Sequence, residues 1–155
     1  MRRFQCQVED EQAMVKLGER MGKALADRAV IFLEGKLGAG KTTLCRGVLR
    51  AMGHVGAVKS PTFTLVEPYK FNDKNLYHFD LYRLGDPEEL EYMGIRDYFQ
   101  PGNLCLIEWS ERGQEFLPQP DLQVNISFSG NGREVTLQSE NKQGEAILDK
   151  IKASD

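Results

Sequence analysis

Apolar and polar residues change period several times along this chain, and each change marks an element. Phe4-Gln5-Cys6-Gln7-Val8-Glu9 alternates, which predicts a strand with one buried face. From Asp10 to about Ala26 the spacing becomes helical, with Met14, Leu17, Met21 and Leu25 on one stripe and Lys16, Glu19, Arg20 and Lys23 mostly elsewhere. That stripe reads as core. Ala29 to Leu33 is an unbroken apolar run, the pattern of a parallel strand buried on both faces. Lys41 to Met52 returns to helical spacing through Leu44, Val48, Leu49 and Met52, and Gly53 supplies a stop signal.

The later pattern predicts two hairpins and a strand between them. Phe63 to Phe71 and Leu76 to Leu81 flank the turn-rich Asn72-Asp73-Lys74-Asn75. Pro68 would confine the first arm to a sheet edge or interrupt it. Asp86-Pro87-Glu88-Glu89 opens a short helix, with Asp86 as its N-cap and an end near Gly94. Asn103 to Glu108 is a second apolar strand, and Leu122 to Phe128 pairs with Glu134 to Gln138 across Gly130-Asn131-Gly132. Ala146, Ile147, Leu148 and Ile151 give a weak terminal helix, so the last dozen or so residues are expected to pack loosely. The whole is one α/β domain, since 155 residues suffice for a single core and not for two.

Composition narrows the field. A net charge of −3 argues against a protein that grips nucleic acid through its own field. Arg46, Arg50 and Lys59 form either a small basic patch or a solvated helix face. Cys6, Cys45 and Cys105 have no metal-ligand or disulfide spacing, which suggests a reducing compartment. No signal peptide is read after Met1-Arg2-Arg3, and no apolar run approaches the roughly 20 residues of a membrane span. A cytoplasmic protein that does not enter membranes is expected.

The candidate chemistry lies between the first apolar strand and its helix. Gly35-Lys36-Leu37-Gly38-Ala39-Gly40-Lys41-Thr42 is a complete G-x-x-x-x-G-K-[ST] phosphate-binding loop. Its glycines let successive N–H groups curl around phosphate oxygens, and the helix N-terminus adds partial positive charge. Lys41 would reach the β- and γ-phosphates, and Thr42 would offer its hydroxyl to Mg²⁺. Such a loop also needs an acid for the metal at the carboxyl end of a strand. Glu108 ends the second apolar run where a Walker-B acid belongs, although Asp is the usual residue there. Asp80 is the other candidate. His78, Asp80 and Tyr82 share one strand face, which lines a site or is simply exposed; spacing does not choose between these. Arg83 is either a cis arginine for the transition state or a surface charge. Thr62, in Ser60-Pro61-Thr62, occupies the stretch where GTPases carry a γ-phosphate-sensing switch. Trp109 is the only tryptophan, suited to anchoring a partner, to reporting on nucleotide or to packing.

The series Gly35 to Thr43, Ser60-Pro61-Thr62-Phe63, His78-Phe79-Asp80-Leu81-Tyr82-Arg83 and Glu108-Trp109-Ser110-Glu111 closely resembles the bacterial TsaE (YjeE) family over about residues 5 to 140. The resemblance implies a P-loop NTPase-like fold with a mixed central β-sheet flanked by helices. It implies an ATP- and Mg²⁺-dependent ATPase, weak alone, in the machinery that makes threonylcarbamoyladenosine on tRNA. TsaD and TsaB are its implied partners, with tRNA contacted indirectly. On this resemblance Gly38, Ala39, Gly40, Lys41, Thr42 and Thr43 hold the phosphates, and Thr42 and Glu108 serve the metal. Asp80 is the second acid near the γ-phosphate, and Trp109 is a functional aromatic. Glu11 and the Gly132-Arg133 turn fall on the adenine side.

Other classes remain. A small-molecule kinase would share the loop but would carry an Arg-dense lid, whereas Arg96 and Arg112 are isolated. A switch governed by nucleotide occupancy would tolerate slow hydrolysis. A GTPase is disfavoured, since no guanine-reading N/T-K-x-D motif occurs.

Overall fold

The computed structural model of the protein describes residues 2–61 and 63–154. Its strands are β1 (Arg3–Val8), β2 (Ala29–Glu34), β3 (Val66–Lys70), β4 (Asn75–Asp80), β5 (Asn103–Glu108), β6 (Leu122–Ser129) and β7 (Gly132–Ser139). The helices are α1 (Glu11–Ala24), α2 (Lys41–Ala51), α3 (Glu88–Tyr92) and α4 (Lys142–Ala153). Seven strands form one sheet in the order β1-β7-β6-β2-β5-β4-β3. β2 is parallel to both β5 and β6, and β4 is parallel to β5. The hairpins and β1 run antiparallel, so the sheet is mixed as expected.

The central strands are buried on both faces because helices cover both. Ile31 and Leu33 of β2 and Leu104 and Leu106 of β5 point into a core shared with α1, α2 and α4. Val30, Phe32, Cys105 and Ile107 point the other way, against Phe79, Leu81, Leu90 and Phe99. This two-sided burial explains why β2 and β5 read as apolar runs rather than alternations. The helices α1 and α2 meet at glycines. A Cβ on Gly18 would stand 2.2 Å from the Leu44 carbonyl oxygen, and one on Gly47 2.2 Å from that of Val15. Only glycine, which has no Cβ, allows this approach, which seats α2 and the loop before it on α1.

Three expectations are corrected. The C-terminal segment is not loose: Ile147, Leu148 and Ile151 of α4 are fully or almost fully buried. Asn141 caps that helix through the Gly144 N–H at 2.8 Å and donates to Asp121 Oδ1 at 2.7 Å. Asp121 in turn accepts from the Val30 N–H at 2.8 Å, tying α4 to β2. The first hairpin arm also begins later than Phe63. Leu65 adopts φ 69°, and its N–H bonds the Pro61 carbonyl at 2.8 Å, so the chain turns before β3 starts. Pro68 does lie on an edge strand. The start of α3 falls one residue later than expected, with Pro87 in the capping position and Asp86 before it, its Oδ1 accepting from the Glu88 N–H at 3.0 Å. Among the described residues no helix is long and apolar enough to cross a membrane.

Candidate functional site

The loop from Gly35 to Gly40 joins β2 to α2 in the middle of the sheet. Gly38 (φ 80°) and Gly40 (φ 117°) occupy the left-handed region that side chains avoid. No side chain caps α2, so its first-turn N–H groups remain available at the loop. They form a seat for an anion, strengthened by the helix dipole.

Lys41 is buried, and its ammonium donates to the carbonyls of Gly35 and, at 3.4 Å, Lys36. It also lies 4.3 Å from the centroid of the Trp109 ring. Burial pushes the Lys41 ammonium below its ordinary pKa, against the opposing pull of Glu108, Asp80 and Glu111.

Asp80 and Glu108 end the neighbouring parallel strands β4 and β5 and are register partners, which sets both acids at one edge of the loop. Each is buried. Glu108 Oε2 accepts from the Thr42 hydroxyl at 3.3 Å and lies 2.5 Å from His78 Nε2. Asp80 Oδ1 accepts from the Tyr82 N–H at 3.0 Å. That bond bends the chain, so Tyr82 does not continue the His78–Asp80 face, a correction to the expected alternation. Its ring instead lies 4.9 Å from that of Trp109, while the Arg112 guanidinium lies over it at 5.3 Å. Trp109 itself has φ 58°, a left-handed turn directly after β5 that carries its ring back toward Lys41.

Two clefts flank the loop. One, about 250 Å³, is lined by Leu37 to Thr43 together with Ser60, Asp80 and Glu108. The other, about 270 Å³, lies between the start of α1 and the β6–β7 turn, and includes Glu11, Met14, Gly132 and Arg133. Gly38, Ala39, Gly40 and Thr43 belong to both, so an elongated ligand seated on the loop can reach either side. Arg133 donates to the carbonyls of Ala39 at 3.0 Å and Gly38 at 3.3 Å, with its guanidinium stacked 4.3 Å from the Phe128 centroid. Glu11 pairs with Arg46 of α2, which ties up one member of the supposed basic patch.

The fold therefore brings together Gly38, Ala39, Gly40, Lys41, Thr42, Thr43, Asp80 and Glu108, with Trp109 against Lys41 and His78 behind Glu108. It does not bring Arg83 to the loop. That side chain is exposed and lies over the Phe63 ring at 4.7 Å. Thr62 lies outside the described residues. Sequence reasoning missed Cys45, whose Sγ is 3.5 Å from His78 Nε2. Its position four residues after Lys41 on α2 was the available signal, since that spacing returns to the same helix face.

Cys45, His78 and Glu108 bring three ligand-type atoms within 4.8 Å of one another. Their geometry is that of a hydrogen-bonded chain. A separation of 2.5 Å between Nε2 and Oε2 is that of a hydrogen bond and leaves no room for a cation. Burial also pushes the Cys45 thiol well above its usual range. The set that fits a hard cation beside a phosphate is instead the Thr42 hydroxyl with the Glu108 carboxylate.

Residues 8–135 match the family model described as threonylcarbamoyl adenosine biosynthesis protein TsaE. A Haemophilus influenzae protein named tRNA threonylcarbamoyladenosine biosynthesis protein TsaE is 50% identical over 146 residues, covering 91% of this chain and 92% of the relative. A protein of the same name from Bacillus subtilis is 36% identical, covering 95% and 90%. The crystal structure of Bacillus subtilis YdiB superposes with a TM-score of 0.85 at 29% identity, over 99% of this chain and 97% of that one.

Proposed function

This chain belongs to the TsaE family of threonylcarbamoyl adenosine biosynthesis proteins, and from that membership we propose that it is a Mg²⁺-dependent ATPase subunit serving the threonylcarbamoyladenosine modification of tRNA. Its partners are TsaD and TsaB, and hydrolysis drives or resets their complex rather than performing the carbamoyl transfer. The observation that carries the reading is the Thr42–Glu108 contact beside an uncapped helix behind a complete glycine loop. A loop of this kind holds phosphates, and a hydroxyl–carboxylate pair next to it suits the accompanying cation.

In this reading the loop N–H groups and Lys41 hold the β- and γ-phosphates. Thr42 and Glu108 would hold Mg²⁺, which would supply neutralisation of the phosphate charge. Asp80 orients the attacking water and receives its proton. The water oxygen bonds to the γ-phosphorus as the bond to the β-bridging oxygen breaks, and the electron pair leaves with ADP. Lys41 must leave the Gly35 and Lys36 carbonyls to meet the phosphates. Its low ammonium pKa reflects a charge held in poor solvation, which an anion relieves. The cleft at Glu11, Gly132 and Arg133 then takes the nucleoside end.

Nucleoside mass spectrometry of tRNA from a reconstituted many-turnover reaction tests this, comparing the wild-type chain, Lys41→Ala and no added chain. Modification beyond one turnover with wild type alone is the expected result. Equal product in all three would overturn the assignment. A non-hydrolysable ATP analogue that sustains repeated cycles would favour control by occupancy over control by turnover.

A further inference from the structure

Glu108 is 3% exposed, and a carboxylate in such a place keeps its charge only if donors hold it. Two donors converge on the same oxygen, Oε2: the Thr42 hydroxyl from α2 at 3.3 Å and His78 Nε2 from β4 at 2.5 Å. The two differ in kind. Thr42 stands at the mouth of the loop, beside the cleft. His78 is wholly buried and lies outside that cleft's lining, so its contact with Glu108 belongs to the core.

The ring's other nitrogen settles which atom carries the proton. His78 Nδ1 is buried and meets no hydrogen-bond partner among the described residues. A proton there would be a buried donor without an acceptor, which is costly. An ionised carboxylate only accepts, so Nε2 must donate to it. The Nε2 proton is therefore directed at Glu108. Cys45 Sγ, 3.5 Å from the same nitrogen, is the weaker neighbour.

We propose that His78 is a positioning residue: its Nε2–H holds Glu108 Oε2 from the core side, so that the Thr42 hydroxyl can turn to a nucleotide-bound cation without releasing the carboxylate. This role rests on the reading of Thr42 and Glu108 as the residues that hold the cation. A ligand oriented from behind in this way keeps its geometry as the front of the site changes partners. The same β4–β5 pairing that sets Asp80 beside Glu108 sets His78 beside Leu106, two residues earlier on the same face. β4 thus supplies both the acid next to Glu108 and the donor behind it.

Three measurements test the proposal. In the wild-type chain without nucleotide, long-range ¹H–¹⁵N correlation of ¹⁵N-histidine-labelled protein should show His78 Nε2 protonated. Electron paramagnetic resonance titration of Mn²⁺ at saturating ADP should then show binding weakened roughly 10–100-fold in His78→Phe. His78→Gln, which restores an N–H donor, should recover most of that loss, while ADP affinity in EDTA stays near wild type in both variants. A bare Nε2 would overturn the proposal, as would Mn²⁺ binding unchanged in His78→Phe. Equal losses with and without metal would mean a merely structural role and would also overturn it. If His78→Phe does not fold, the tautomer and the His78→Gln titration decide. Wild-type protein that binds no Mn²⁺ with ADP would instead overturn the nucleotide reading, and this role with it, whatever the tautomer.

Discussion

The Lys41 ammonium rests 4.3 Å from the centre of the Trp109 ring while it donates to the carbonyls of its own loop. The contact joins the first residue of α2 to the residue that follows β5, so it reports on the loop and the acid-bearing strand together. A buried cation–π contact is worth about 1–2 kcal/mol, less than a charge-assisted bond to phosphate, so nucleotide should draw Lys41 off the ring. Because Trp109 is the only tryptophan, its fluorescence should change on titration with ADP or ATP. Lys41→Ala should begin at the altered emission and weaken nucleotide binding about 10–100-fold, the effect of losing a charged hydrogen bond. Unchanged emission at saturating nucleotide would contradict this.

Arg133 works on the loop from the opposite side. Its guanidinium bonds the carbonyls of Gly38 and Ala39, which holds those oxygens on the β7 side of the loop. Arg133→Met retains the aliphatic stem and removes both donors. Calorimetric nucleotide affinity should fall about five- to tenfold, with a discount for the solvent reaching the guanidinium. Arg133→Lys should fall between the two, since an ammonium does not present the planar fork.

The terminal helix should carry stability out of proportion to its modest apolar content. Leu148 is fully buried, and Leu148→Ala should cost about 2–5 kcal/mol. Thermal unfolding should show a Tm lower by about 5–15 °C. A fall of about a degree or less would restore the picture of a loose tail.

Cysteine titration gives a pH dependence with a definite sign. Burial pushes Cys105 up to about 12 from an ordinary value of 9.0, and Cys45 is pushed up as well. Between those values the folded chain retains a proton that the unfolded chain has lost, so stability falls as pH rises through that window. Tyr69 and Tyr98, both raised above 10.0 chiefly by burial, act in the same direction. Urea midpoints should therefore be lower at about pH 10 than at about pH 8. In native protein at about pH 8, iodoacetamide should label half-buried Cys6 well before Cys45 and Cys105, which react on unfolding.

Much of the fold was legible because its signals are local. The apolar run at Asn103–Glu108 became β5 with those same bounds, and the Gly130–Gly132 turn joined β6 to β7. Errors arose where a local pattern was overridden at a distance. β3 lost its first residues because Leu65 turns onto Pro61, and the Asp80 carboxylate took the Tyr82 N–H and ended the alternation of β4. The tail looked weak because four apolar residues say little about what they pack on. Its attachment runs through Asn141 and Asp121 to Val30, a link no periodicity reports.

By itself the sequence determined the glycine-rich loop, its strand and its helix, since glycine freedom, helix polarity and a lysine at fixed offset are properties of consecutive residues. It also marked Asp80 and Glu108 as strand-end acids. Only the tertiary structure decided that these two are register partners, that His78 and Thr42 share one oxygen of Glu108, that Trp109 covers Lys41, and that Arg83 stays away. These meetings depend on β5 lying between β2 and β4 in the sheet. Strand order is set by which faces bury together across the whole chain, and spacing along the chain does not encode it.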